Sequence, residues 1–259
     1  MPTQLAQDAL GLLSGSFVGF SLGLVGGGGS ILAVPLMIYV VGVASPHVAI
    51  GTSALAVAIN AAANLLSHAR AGTVKWACAG TFAAAGIVGA YGGSTLSKMV
   101  DGGQLLALFA VLMLVVAGVM FFRRAHAGDA SVKLNRGNFP KLAVAGIGTG
   151  TLSGFFGIGG GFLIVPGLMF ATGMPIICAV SSSLVAVTAF GATAALNYAA
   201  SGLVSWRLAA TFILGGVLGG LVGGRLAHAL GGKRGALNTV FAAVIALTAI
   251  YMLVRSTTG

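Results

Sequence analysis

Four glycines in five positions occur twice in this chain, at Gly26-Gly27-Gly28-Gly29-Ser30 and at Gly157-Ile158-Gly159-Gly160-Gly161, each time inside a long apolar run. A glycine in a helix interior costs about 1 kcal/mol relative to alanine, so both runs predict a broken helix. Inside a membrane, unwound backbone is tolerated only where protein buries it or a cavity lies beside it. A helix restarting at Ser30 or Phe162 aims N–H groups and the positive end of its dipole into that space, which suits an anion. Glycines also serve close helix packing, but packing places small residues four apart rather than in succession. A P-loop is excluded, because no Lys follows the glycines and no strand and helix unit flanks them.

Further polar groups stand at matching distances beyond each glycine run. Gly51-Thr52-Ser53 and Ser181-Ser182-Ser183 put hydroxyls into helices otherwise rich in Ala and Val, and hydroxyls can donate to an oxyanion. In membrane helices they also bond back to their own carbonyls or glue helices together. Asn60, Asn64 and Asn197 lie further along the same helices, where an amide can line a path or bridge two helices. Pro35 and Pro166 follow the glycines by six to nine residues, and each removes a helix hydrogen bond and either kinks or stops its helix. The candidate substrate-binding set is therefore Gly26, Gly28, Gly29, Ser30, Pro35, Thr52, Ser53, Asn60, Gly157, Gly159, Gly160, Gly161, Pro166, Ser182 and Ser183.

The acids narrow the chemistry. Asp8, Asp101 and Asp129 are the only carboxylates, and all three fall in expected loops or termini. Proton relays and cation sites in membranes use buried carboxylates or His chains, so both are disfavoured. His47, His68, His126 and His228 sit near span ends or in the linker, with no ligand-spaced pair. Cys78 and Cys178 stand alone in apolar runs. Hydrolase chemistry lacks a buried acid. The expectation is no enzyme, metal, cofactor or nucleic-acid partner.

The elements that position these groups follow from composition. Of 259 residues, 58% are hydrophobic and 6% charged, and the mean hydropathy is +1.06. A soluble domain needs roughly a quarter of its residues charged, so lipid is the main solvent. Apolar runs of about 20 residues predict helices rather than barrel strands. The 43 glycines imply tight helix packing. No basic region opens the chain, so the first apolar run is expected to be retained.

The chain also repeats itself at an offset of about 130 residues. Gly26 to Pro35 matches Gly157 to Pro166, and Ala71 to Phe82 matches Ser201 to Phe212, which aligns the only two tryptophans, Trp76 and Trp206. Two homologous repeats are expected, 1–124 and 141–259, joined by a basic linker at 125–140. Each holds a Gly-interrupted segment (Ala9 to Val41; Leu142 to Ala171) and three ordinary spans. These are His47 to Ser67, Val74 to Leu96 and Gln104 to Phe122, then Ile176 to Ala199, Trp206 to Leu230 and Arg234 to Val254. Lys and Arg counts place the linker, Arg70 and Lys75 in the cytoplasm if the interrupted segments make no net crossing. Three crossings per half then invert one repeat against the other.

The doubled G-x-G-G-G-x-x-x-V-P pattern, the small-Ser/Thr-Ser cluster after it and the A/S-G-x-V-x-W pattern resemble the TauE/SafE sulfite exporter family over nearly the whole chain. Gly27 is Ile158 in the second copy and Ser30 is Gly161, so the copies are not interchangeable. The resemblance implies a multi-pass protein of the bacterial cytoplasmic membrane that carries sulfite, sulfoacetate or a related anion. Alternating access between two repeats is the expected mechanism. An anion channel and a non-transporting membrane scaffold are the alternatives left open by the residues.

Overall fold

The computed structural model describes residues 4–122, 132, 134–229 and 234–258; half of the expected linker, 125–140, lies outside them. Among the described residues the chain is helical without strands. Five helices come from the first half. They are α1 (Gln4–Val25), α2 (residues 26–40), α3 (Pro46–Arg70), α4 (Trp76–Ser97) and α5 (Gly102–Phe122). The second half supplies α6 (Phe139–Phe156), α7 (Gly161–Thr172), α8 (Ile176–Ala200), α9 (Trp206–Ala229) and α10 (Arg234–Thr258). The six ordinary spans expected from hydropathy are α3, α4, α5, α8, α9 and α10, within a few residues at their ends. By length and composition α1, α3, α8 and α9 are apolar enough to cross a membrane.

Local chemistry sets the ends. Ser45 caps α3 by accepting the Val48 N–H, Pro46 occupies its first turn, and His68 and Arg70 sit in its last turn, where cations favour the dipole. The loops after α3 and α8 share one turn, with Gly72 and Gly202 both at φ +68°. Each loop leads into a half-exposed tryptophan, Trp76 or Trp206, the placement expected of an aromatic side chain at a membrane surface.

Each interrupted segment reverses direction at its glycines. A β carbon on Gly29 would lie 2.8 Å from Cβ of Ser21, and one on Gly160 would lie 2.7 Å from Cβ of Ser153. Residues seven or eight apart in a continuing helix are separated by about 10–12 Å along the axis, so the chain has folded back. Thus α2 returns along α1, and α7 along α6.

Glycines then fix how the helices pair. Gly11, Gly15, Gly19 and Gly23 of α1 face Thr211, Phe212, Gly216 and Gly220 of α9 in ascending order, so these helices run parallel. An Asp8–Arg207 ion pair joins their starts. In the same way Gly146, Gly150 and Gly154 of α6 lie on Phe82, Gly86 and Ala90 of α4. Between apolar helices in lipid no hydrophobic effect drives association, and close backbone approach supplies the attraction instead. The pairs α1–α9 and α4–α6 are the most extensive in the molecule, and exchanging the two halves turns one into the other. The same exchange maps the α3–α8 and α5–α10 contacts onto themselves.

Candidate functional site

Helix α3 and its counterpart α8 run antiparallel. Thr52, near the start of α3, accepts a hydrogen bond from the Ser205 N–H just past the end of α8, at 3.0 Å. Ser182, near the start of α8, accepts one from the Lys75 N–H past the end of α3, at 2.9 Å. The two bonds are equivalents in the two halves. Both hydroxyls therefore hold a loop in place, a role invisible in the sequence because each partner lies more than a hundred residues away.

The break between α6 and α7 sits against the middle of this antiparallel pair. Gly157, Gly159 and Gly160 have φ of +63°, +66° and +65°, the left-handed region that side chains with a β carbon adopt only at a cost. A β carbon on Gly157 would lie 2.2 Å from Cγ2 of Ile50, and one on Gly159 would lie 2.9 Å from Val57 and 2.8 Å from Val187. Val57 and Val187 are counterparts, each close to the midpoint of its 25-residue helix. Gly160 is the N-cap of α7 and no side chain caps that helix, so the first N–H groups of α7 open toward the break.

Three buried polar side chains have no hydrogen-bond partner: Ser53 and Ser153 beside the break, and Asn60, which lies three residues past Val57 on α3 and packs on Gly216 of α9. None is more than 1% exposed. Ile50, Ser53, Val57 and Asn60 recur at three- and four-residue spacing and so share one face of α3. That face meets the break through Ile50 and Val57. Ser153 stands across from them at the end of α6, its Oγ 3.1 Å from where a β carbon on Gly160 would be. The stretches 50–60 and 153–162 contain no ionisable side chain, so the electrostatics come from hydroxyls, backbone N–H groups and the α7 dipole.

The other expected residues have different surroundings. Residues 26–32 form a 3-10 turn that packs on α7 and α8, bringing the two broken segments together. Gly26 and Gly28 lie within it, although their surroundings are outside the described residues. The two breaks are not alike, since Gly29 lacks the left-handed φ of its counterpart Gly160. Ser30 is fully buried in the first turn, and Gly161 opens α7. Pro35 precedes a π turn, Leu36–Val40, the register change expected where a proline withholds its N–H. Pro166 lies inside α7 without ending it.

Ser183 donates to the Val180 carbonyl at 2.8 Å, the back-bonding habit of a membrane hydroxyl. Asn64 donates to the Asn60 carbonyl. Asn197 bridges helices, donating to Ser94 and Thr95 and accepting from Lys98. Of the three amides, only Asn60 has none of these ties. Ser153 escaped the sequence reading because the repeat puts Leu22, with no hydroxyl, in the corresponding place. Its position one turn before the glycines was the available signal. Among the described residues no group of three or more His, Cys, Asp or Glu gathers as a metal site needs.

Comparison with known proteins bears on the same stretch of chain. A "Probable membrane transporter protein" of Xylella fastidiosa (strain Temecula1) is 51% identical over 244 residues, which cover 94% of each chain. "Probable membrane transporter protein YunE" of Bacillus subtilis (strain 168) is 27% identical over 228 residues, covering 80% of this chain and 82% of that one. No solved structure matches. The family model for Sulfite exporter TauE/SafE matches residues 11–252, a span that takes in both breaks and the greater part of every helix described. With that match over nearly its whole length, the chain is a multi-pass membrane protein and belongs to the TauE/SafE family of membrane transporters.

Proposed function

We propose that the protein exports a small sulfur-containing oxyanion, sulfite or an organosulfonate such as sulfoacetate, across the bacterial cytoplasmic membrane. The anion sits at the Gly157–Gly160 break, held by the first N–H groups of α7 and the side chains of Ser53 and Ser153. The observation that carries this reading is the pair of buried hydroxyls without partners beside the break, Ser53 on α3 and Ser153 at the end of α6. Each such group costs about 1–3 kcal/mol while it stays unsatisfied, an expense that a bound oxyanion removes.

The halves, 1–124 and 141–259, act as inverted repeats joined by a basic cytoplasmic linker. The antiparallel course of α3 and α8 supports this, because a two-fold axis relating antiparallel spans lies in the membrane plane. Reversal of α1–α2 and of α6–α7 supports it as well, since each interrupted segment then makes no net crossing. Rocking of one half against the other exposes the site to each side in turn.

Melting of the purified protein with sulfite, sulfate, thiosulfate, sulfoacetate and acetate tests the reading. A ligand at 100 times its Kd stabilises by about 2.7 kcal/mol, so the carried anion raises Tm by several degrees. Indifference to all five overturns the proposal. Single-channel conductance in place of saturable counterflow assigns the site to a channel instead.

A further inference from the structure

Polar side chains tie three helices together where α4 and α8 end and α3 begins. Asn197 donates to Ser94 at 2.7 Å and to Thr95 at 2.9 Å, and Tyr198 donates to Ser97 at 2.8 Å. Lys98 donates to the Asn197 side chain and to Ser201, both at 2.9 Å, and lies 6.0 Å from the centre of the Tyr198 ring. From α3, His47 Nε2 stands 3.2 Å from the carbonyls of Ser97 and Val100; carbonyls only accept, so this nitrogen carries the proton.

The cluster stands next to the break. Ile50, which a β carbon on Gly157 would touch, is followed by Gly51, whose own β carbon would lie 2.7 Å from Cβ of Tyr198. Helix α6 ends at the same level, with Gly154 on Ala90 of α4 and Gly93 of α4 on Thr151. From the break, α7 runs to the start of α8, at the opposite end of the antiparallel pair, so its first N–H groups point toward the cluster. The internal repeat makes this end unlike the other. At the offset that aligns Trp76 with Trp206, Ser94, Ser97 and Ser201 become Gly224, Ala227 and Ala71, which have no hydroxyl, so the same bonds cannot form there.

We infer that these bonds are a latch that shuts the path from the break to the outer face, and that the anion leaves only when α4 and α8 part there. The inference takes the site and the orientation from the reading above. Hydrogen bonds suit a latch, because water takes over both partners of each bond as the helices separate, and the net cost of opening stays small.

The test is labelling of a cysteine placed behind the latch, Ile50→Cys in a Cys78→Ala/Cys178→Ala background, by a membrane-impermeant maleimide given to intact cells or to inside-out vesicles. Ile50 is 1% exposed, so with the latch intact outer labelling should be far slower than that of Met99→Cys, at an outer position 80% exposed. Lys98→Met removes the donor to Asn197 and Ser201 and should speed outer labelling about tenfold without speeding that of inside-out vesicles. Tyr198→Phe, one oxygen smaller, should act in the same direction. Outer labelling as fast as that of Met99→Cys with the latch intact, no change in either variant, or a gain confined to inside-out vesicles overturns the inference. If Lys98→Met labels faster from both faces, the protein has loosened and Tyr198→Phe decides: a gain from the outer face alone supports the latch, and any other result ends it. No anion takes part in the readout, so failure of the latch is a separate result from failure of the anion site.

Discussion

Gly19 faces Gly216 where α1 crosses α9, and a β carbon built on it falls 1.9 Å from the Gly216 carbonyl oxygen. Ordinary contact begins at 3.4 Å, so Gly19→Ala must part the two backbones by about 1.5 Å. The obstacle is backbone rather than a pliable side-chain tip. Overpacking of a close-packed interior costs about 1–3 kcal/mol, and this case belongs at the upper end. For a chain of this size 3 kcal/mol lowers Tm by about 6 °C or more. Gly150→Ala, the counterpart in α6, meets the Gly86 carbonyl at 2.2 Å and should cost a similar amount. Gly92→Ala is the control, because nothing lies within 4 Å of its β carbon and the change gains up to about 1 kcal/mol of helix propensity. The assay is thermal unfolding of the three purified variants in one detergent. If Gly19→Ala melts at or above Gly92→Ala, the glycine faces do not hold the helices together and the reasoning fails.

Loss of the matched loop contacts gives a second expectation. Thr52→Val and Ser182→Ala each leave a loop N–H without its acceptor, which should cost about 1–3 kcal/mol apiece, and by similar amounts because the bonds are equivalents; unchanged melting in both contradicts it. Gly159→Leu should abolish transport, since the side chain collides with Val57 and Val187 at the centre of the site; wild-type flux in this variant moves the site elsewhere. Export of a singly charged anion from a negative interior releases about 2.3 kcal/mol per 100 mV, so no coupled ion is required. Efflux from proteoliposomes under a potassium-diffusion potential, without sodium and at equal pH, should quicken as the interior becomes more negative. Rates indifferent to potential yet restored by a sodium or pH gradient refute uncoupled export.

Which parts of this were legible depended on the range of the interaction. The helices were, because their apolar runs are local, and the breaks were, because consecutive glycines are a strong local signal. The internal repeat made counterparts such as Thr52 and Ser182 visible as polar positions. Their partners were hidden, since Ser205 and Lys75 belong to loops brought near only by the antiparallel docking of α3 on α8. The pairing of α1 with α9 was likewise hidden. Glycines at four-residue spacing in α1 announce a close contact but do not say with which helix. The difference between the breaks, left-handed at Gly160 and not at Gly29, could not be read from two glycine runs of nearly the same composition. Asn60 looked like Asn64 and Asn197, and only the hydrogen bonds separate it from them.

The central claim is that buried hydroxyls beside the Gly157–Gly160 break bind the transported anion. Sulfite affinity of the Ser53→Ala/Ser153→Ala double variant, measured by titration against the wild type, tests it most directly. Each hydroxyl loses a hydrogen bond to a charged ligand worth about 1.5–3 kcal/mol, so the account predicts affinity reduced at least a hundredfold. The empty double variant should melt no lower than the wild type, because neither hydroxyl has a protein partner to lose. Wild-type affinity in the double variant would contradict the account.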